Sequence, residues 1–258
     1  MAQPLIELDG VTRRYGAHAA LEGVSLRVAA GEFVALVGGS GSGKTTLLKT
    51  INRLVVPDSG DVRVGGEPVQ AAQPHELRRR IGYVFQEIGL FTHLTVAENI
   101  GITPRLLGWD RGRIAARVDE LLDLVALPRE VARRRPAALS GGQRQRVGVA
   151  RALAAGPAVM LMDEPFGALD PLTRDALGND YRALHERLAL TTVMVTHDMA
   201  EAVLLADRIV VLKEGRVLAD GTPAALSASA VDPDVRALLD APRRQAERLR
   251  ARLSEIAL

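Results

Sequence analysis

The chain has 258 residues and no cysteine, and 33 Lys and Arg against 31 Asp and Glu leave a formal charge of +2. That length supports one sizeable core, alone or with a small lobe, and the lack of cysteine excludes disulfides and thiolate metal sites. Near-neutrality gives no argument for a nucleic-acid partner. No run of about 18 apolar residues occurs, and the opening MAQPLIELDG lacks a basic stretch followed by an apolar core, so neither a membrane span nor a leader is expected.

In chain order, LIELDGVTRRYG and VSLRVAAGEFVALVG read as strands broken by turns, the second running straight into GGSGSGKTT. A helical pattern from Thr45 to Leu54 stops at Pro57 and DSG. A short strand at Val62–Val64 precedes PHELRRRIGYVFQ, a basic helix leading into a strand. Between Thr95 and Leu127 the apolar spacing is helical, with Val118, Leu121, Leu122 and Val125 at i, i+3, i+4 and i+7. Another helix follows Ser140. AVMLMDEP is an apolar run too short for a helix, and a further helix runs roughly from Pro171 to Leu188. TTVMVTHD reads as a buried strand, and DRIVVLKEGRVLADG as a hairpin turning at Glu214–Gly215. Strands alternating with helices predict a largely parallel α/β sheet. The strandless stretch 95–139 predicts a helical subdomain inserted into it. The tail from Asp232 carries Arg243, Arg244, Arg248, Arg250 and Arg252 against Glu247 and Glu255, with Leu249, Leu253 and Ile256 at helical spacing. A solvated amphipathic helix, a dimer contact and a membrane-surface contact all fit that pattern.

GGSGSGKT fits the phosphate-binding pattern G-x-x-x-x-G-K-[ST], with Gly38, Gly43, Lys44 and Thr45 in their places and Gly39, Ser40, Gly41 and Ser42 between. It follows the apolar FVALV and opens a helix through Thr46, the context the motif needs. The glycines let backbone N–H groups turn inward, and a helix N-terminus adds partial positive charge. Lys44 is expected on the β- and γ-phosphates and the Thr45 hydroxyl on Mg²⁺. Asp163 in MLMDEP, at a strand end, is the expected acid for Mg²⁺, and Glu164 the base for an attacking water.

A second cradle, Ser140–Gly141–Gly142–Gln143, opens a later helix, and its N–H groups and hydroxyl suit a γ-phosphate by the same dipole argument. The inserted helical segment carries it away from the first. Two chains meeting head to tail, each giving half of two ATP sites, resolve the duplication.

The series GGSGSGKT, VFQ, LSGGQ, MLMDEP, ALD and VTHD resembles the nucleotide-binding subunits of ATP-binding cassette (ABC) transporters over roughly Leu5 to Gly221, with Ser140 lying 96 residues after Lys44 and 23 before Asp163. The resemblance implies a P-loop NTPase cassette: a RecA-like parallel sheet, an antiparallel β part and the helical insert. The cassette would span 5–230, with its helical subdomain at about 95–139 plus a signature helix at 140–155, and the Arg-rich tail would take 231–258. Residue by residue, the resemblance puts Tyr15 under adenine, Gln86 on Mg²⁺ and the attacking water, His197 on the γ-phosphate and Asp170 across the dimer interface. Gln86, Lys44, Glu164 and His197 are then the catalytic set. Ala168 stands where many relatives have serine. The implied partners are a second copy, transmembrane permease subunits, which would dock on EIGLFTHLTVAENI with Leu90 and Phe91 as anchors, and indirectly a substrate-binding protein. The implied place is the cytoplasmic face of the plasma membrane.

QEIGLF and PRLLGWD further resemble cassettes of importers for glycine betaine, carnitine and choline, although Thr92 replaces an expected proline. Regulation by paired CBS domains, found in some of those relatives, is not expected here. The alternatives are the same cassette importing another solute such as an amino acid, a non-transport ATPase of the superfamily, and a module that dimerises on ATP without hydrolysing it. The short insert and single cassette argue against the second. Intact Glu164, Gln86 and His197 argue against the third.

Overall fold

The computed structural model describes residues 5–229 and 232–256. Residues 1–4, which begin the stretch read for a leader, and the side chains of Leu253 and Ile256, part of the tail's apolar stripe, lie outside the described residues. The chain opens with β1 (Ile6–Tyr15), β2 (His18–Val28) and β3 (Phe33–Val37), then α1 (Lys44–Ile51), β4 (Ser59–Val64), β5 (Glu67–Pro68), α2 (Pro74–Arg80) and β6 (Ile81–Val84). Short helices α3 (Val96–Ile100) and α4 (Ile102–Leu106) and the longer α5 (Arg111–Leu124) follow without a strand, as predicted for the insert. Then come α6 (Gly141–Leu153), β7 (Val159–Asp163), α7 (Pro171–Arg187), β8 (Thr191–Val195), α8 (Met199–Leu205), β9 (Arg208–Lys213), β10 (Arg216–Gly221), α9 (Pro223–Ser229) and α10 (Pro233–Ile256).

Two sheets result. The larger has the order β10-β9-β3-β8-β7-β6, and all its neighbours are parallel except the β9–β10 hairpin. The smaller, β2-β1-β4-β5, is antiparallel. Strand β3 shows why the larger sheet is covered on both faces. Its side chains alternate, so Phe33, Ala35 and Val37 join one core with α3, α5, α6, α7 and α8, while Val34 and Leu36 join another with α1 and the antiparallel sheet. Buried on both sides, such strands read as continuous apolar runs. The β9–β10 turn falls on Glu214 and Gly215 as predicted, and both have positive φ (50° and 76°), the geometry a two-residue hairpin requires.

The sequence predicted a break in the first strand, yet β1 runs unbroken. Gly10, at φ 58°, sits where the register against β2 slips between Leu8 and Val11, so a bulge absorbs the turn. The tail is helical. Val235 is buried against the body and Lys213 pairs with Asp234, whereas Leu249 and the arginines beyond residue 242 are exposed. Among the described residues no helix is long and apolar enough to cross a membrane.

Candidate active site

The parallel strands deliver the predicted residues to one edge of the sheet. β3 ends at Val37 and feeds the glycine-rich loop, β6 ends two residues before Gln86, β7 ends on Asp163, and β8 ends two residues before His197. Ligand sites in such sheets form outside the carboxyl ends of the strands. Main-chain bonds fix the relation between these ends: Glu164 N–H donates to Val195 O at 2.9 Å and Thr196 N–H to Leu36 O at 3.1 Å.

The first cradle closes around its own lysine. Lys44 Nζ donates to Gly38 O (2.9 Å), Gly39 O (2.8 Å) and Ser42 Oγ (3.3 Å). Burial pushes the ammonium pKa down, opposed by the negative charges of Glu164 and Asp163. Gly43, at φ 101°, caps α1 without a side-chain hydrogen bond, so the first-turn N–H groups of that helix have no side-chain acceptor. The loop borders a cavity of about 520 Å³ lined by Ser40 to Thr46, with Tyr15 and His18 on one side and Glu164 and His197 on another. Tyr15 is half exposed there, with the Arg13 guanidinium 4.8 Å from its ring centre.

The acids diverge in role. Thr45 Oγ1 donates to Asp163 Oδ1 at 2.8 Å, and Asp163 is buried. Glu164 has a positive φ of 46°, a conformation that costs a non-glycine residue about 1–3 kcal/mol and tends to mark functional positions. Its Oε2 faces both Gln86 Nε2 and His197 Nδ1, each at 3.2 Å. Gly167 lies beside them, where a Cβ would make ordinary contact, 3.7 Å from both Glu164 Oε2 and His197 Cε1.

Sequence reasoning did not single out Tyr83. Its hydroxyl lies 3.4 Å from Asp163 Oδ2, and burial, reinforced by that carboxylate, pushes its pKa up and keeps it a donor. Only the pairing of β6 with β7 places it there.

The second cradle stands apart: none of residues 140–143 lines the 520 Å³ cavity. It is a capping box, in which Ser140 Oγ accepts from Gln143 N–H (3.2 Å) and Gln143 Oε1 accepts from Ser140 N–H (3.0 Å). The side-chain oxygen of Gln143 is therefore engaged within its own helix, while its amide nitrogen keeps two N–H donors. The N–H groups of Gly141 and Gly142 and the Ser140 hydroxyl proton remain for a ligand. Asp170 is exposed and caps α7, accepting from Thr173 N–H at 3.0 Å. The Thr173 side chain first, and then this N–H, hold its pKa down. Of the two apolar anchors expected for docking, Phe91 is exposed in a groove with Phe85 and Leu54, but Leu90 packs inward against the helical core. Phe85 is the exposed aromatic beside Phe91 there.

Fold and site together define a P-loop nucleotide-binding protein with a second glycine-containing helix start set apart from the first. The ABC transporter family model matches residues 21–167, and the chain belongs to that family. It is 50% identical over 220 residues to the choline transport ATP-binding protein OpuBA of Bacillus subtilis, a match covering 85% of this chain and 58% of that protein. It is 51% identical over 219 residues to the glycine betaine uptake system ATP-binding protein YehX of Escherichia coli, covering 85% and 71%. The chain thus spans little more than half the length of OpuBA. Among solved structures, the dimeric cassette MJ0796 superposes with a TM-score of 0.76 at 36% identity, covering 84% of this chain and 98% of that one. The same cassette has been solved as a post-hydrolysis dimer bound to ADP and Pi.

Proposed function

We propose that this chain is the ATP-hydrolysing subunit of an importer for quaternary-amine osmoprotectants such as glycine betaine or choline. The observation that carries the hydrolytic part is Glu164, a carboxylate in a strained backbone conformation bracketed by Gln86 and His197 and lining the cavity beside the glycine-rich loop. ATP lies with adenine on Tyr15 and its phosphates along Gly38 to Thr46, where Lys44 exchanges loop carbonyls for phosphate oxygens. Two copies meet head to tail, and the partner subunit's Ser140, Gly141, Gly142 and Gln143 close each site, with Asp170 at the junction. The separation of the two cradles within one chain and the dimeric MJ0796 cassette support this arrangement.

The donors present suit Mg²⁺, a hard cation taking oxygen ligands: the paired Thr45 hydroxyl and Asp163 carboxylate would hold it, joined by the amide oxygen of Gln86, whose nitrogen donates to the neighbouring Glu164. When bound, Mg²⁺ neutralises developing charge on the phosphates. Glu164 takes a proton from water as the water oxygen bonds to the γ-phosphorus and the bond to the ADP oxygen breaks. Lys44, His197 and the partner subunit's Ser140 stabilise the charge on the transferring group.

The cassette occupies 5–230 and the Arg-rich tail 231–258. The chain works at the cytoplasmic face of the membrane, where the groove with Phe85 and Phe91 receives a permease subunit that in turn meets a substrate-binding protein. The names of OpuBA and YehX support the cargo. The test is uptake of labelled betaine and choline by source cells after an osmotic upshift, with redundant carriers deleted, comparing the intact chain with Glu164→Gln. Uptake lost in the variant supports the assignment. Equal uptake in both moves the cassette to another solute, such as an amino acid.

A further inference from the structure

Helix α6 begins at the second cradle and ends at Leu153, and near its far end it grips the loop that carries Gln86. The Arg151 guanidinium donates to Ile88 O at 2.6 Å and to Gly89 O at 2.7 Å. Two successive carbonyls meet one planar fork because Gly89 sits at φ 57°, turning the chain between them. One helical turn earlier, a Cβ on Gly148 would lie 2.9 Å from Ile88 Cγ2, so the helix surface is cut back where Ile88 packs. Farther along, Asn99 ties Phe91 to α3 through both its amide groups, at 2.8 and 3.1 Å. The loop is therefore fixed at Ile88, Gly89 and Phe91. Gln86 alone reaches across to Glu164.

Arg151 is a costly way to hold a loop for stability alone. It is partly buried, burial pushes its pKa down, and among the described residues it has no carboxylate partner. A guanidinium stays charged in proteins, so the two main-chain carbonyls must offset its desolvation.

We propose that Arg151 is a positioning residue for hydrolysis: by clamping Ile88 and Gly89 to α6, it makes Gln86 and the Ser140 cradle move as one rigid piece relative to Glu164. A helix of 13 residues is about 20 Å long at 1.5 Å per residue, so α6 carries a displacement at the Gln86 loop to the opposite end, where Ser140 waits for the second copy's nucleotide. This rests on the proposed roles of Gln86, Glu164 and Ser140.

The test is a double-mutant cycle on ATPase activity of the full chain, with Arg151→Met and Gln86→Ala singly and together. Coupling through one hydrogen-bonded loop predicts a fall in kcat of about tenfold, or about 1.4 kcal/mol, for Arg151→Met with KM for ATP nearly unchanged. In the Gln86→Ala background the same change costs less than about twofold, because its effect runs through Gln86. Arg151→Lys recovers part of the loss, since an ammonium still reaches a carbonyl. Gly148→Ala, which pushes Ile88 outward, reproduces the loss by a second route and serves if Arg151→Met fails to fold. Equal losses with and without Gln86 overturn the proposal and leave Arg151 a structural residue. If Gln86→Ala and Glu164→Gln both keep full ATPase activity, the proposed hydrolytic roles fall first and this inference falls with them.

Discussion

The hydroxyl of Thr45 donates to Oδ1 of Asp163 at 2.8 Å, joining residues 118 positions apart in the chain. The strand that leads to Thr45 is not next to the one that ends on Asp163, for β8 lies between β3 and β7. The contact forms because α1 leans its first turn over the strand ends, and Asp163 is aligned further by Tyr83 at its other oxygen. A hydroxyl and a carboxylate held together in this way suit the proposed Mg²⁺, a cation that takes oxygen ligands. Asp163→Asn removes the charge and keeps the shape, so the Mg²⁺ concentration giving half-maximal ATPase activity should rise at least about tenfold, the equivalent of roughly 1.4 kcal/mol. Thr45→Val should act in the same direction. An ATPase titration against free Mg²⁺ checks both, and unchanged midpoints would confine the pair to holding the fold.

Glu164 is the base we propose, and Gln keeps its size and its bond to Gln86. Loss of a general base costs about 10²–10⁴ in rate. Glu164→Gln should therefore bind ATP, hydrolyse it slower by that factor and accumulate as a dimer in ATP–Mg²⁺. Sedimentation velocity with parallel phosphate-release measurements reads both effects. A variant that remains monomeric at saturating ATP would count against the head-to-tail site, and one that hydrolyses at the parent rate would remove Glu164 from the base role.

Gly43 tests the cradle itself. It sits at φ 101°, where a side chain is strained, and a Cβ would lie 2.3 Å from Ala20 O, a main-chain atom with little freedom to yield. Gly43→Ala should shift the loop away from β2, abolish binding of a fluorescent ATP analogue and lower stability by about 1–3 kcal/mol. Equilibrium binding and denaturant unfolding measured together separate the two losses. Retained affinity would mean the loop tolerates a different path.

Much of this site was legible in the sequence because its pieces are local. The glycines of the first cradle, the acid pair after an apolar run and the turn at Glu214–Gly215 each depend on conformations that only a few residue types adopt. Ser140 and Gln143 also carried their capping-box spacing openly, although sequence reasoning assigned them only to phosphate. What stayed hidden depends on strand register and on which side of a loop turns inward. Tyr83 meets Asp163 because β6 pairs with β7, Leu90 turns into the helical core while Phe91 stays out, and Arg151 finds two carbonyls more than 60 positions upstream. None of these has a local pattern to announce it.

Glu201, in the first turn of α8, sits four residues after His197, and its Oε1 is buried without a hydrogen-bond partner. Burial raises its pKa and Asp198 adds to that, while a bond to Thr196 and the charges of Arg174 and His197 lower it, for a net rise above 4.5. The folded chain thus holds this proton more tightly than the unfolded chain does. Its stabilising share is fully present below the unfolded pKa and is lost as pH rises through the folded one, so at neutral pH the ionised group is a net cost. Glu201→Gln keeps a donor and an acceptor but no charge, and should raise stability at pH 7.5 by about 1 kcal/mol. For a chain of this size that is an increase of about 2–4 °C in Tm. The gain should shrink towards zero as pH falls to the unfolded value, because both forms are then neutral there. Thermal unfolding of the two proteins from pH 7.5 down to pH 4.5 reads the difference directly. A gain of the same size at every pH would trace to a new amide hydrogen bond, and a loss at pH 7.5 would mean the carboxylate is held by its cationic neighbours more strongly than burial opposes it.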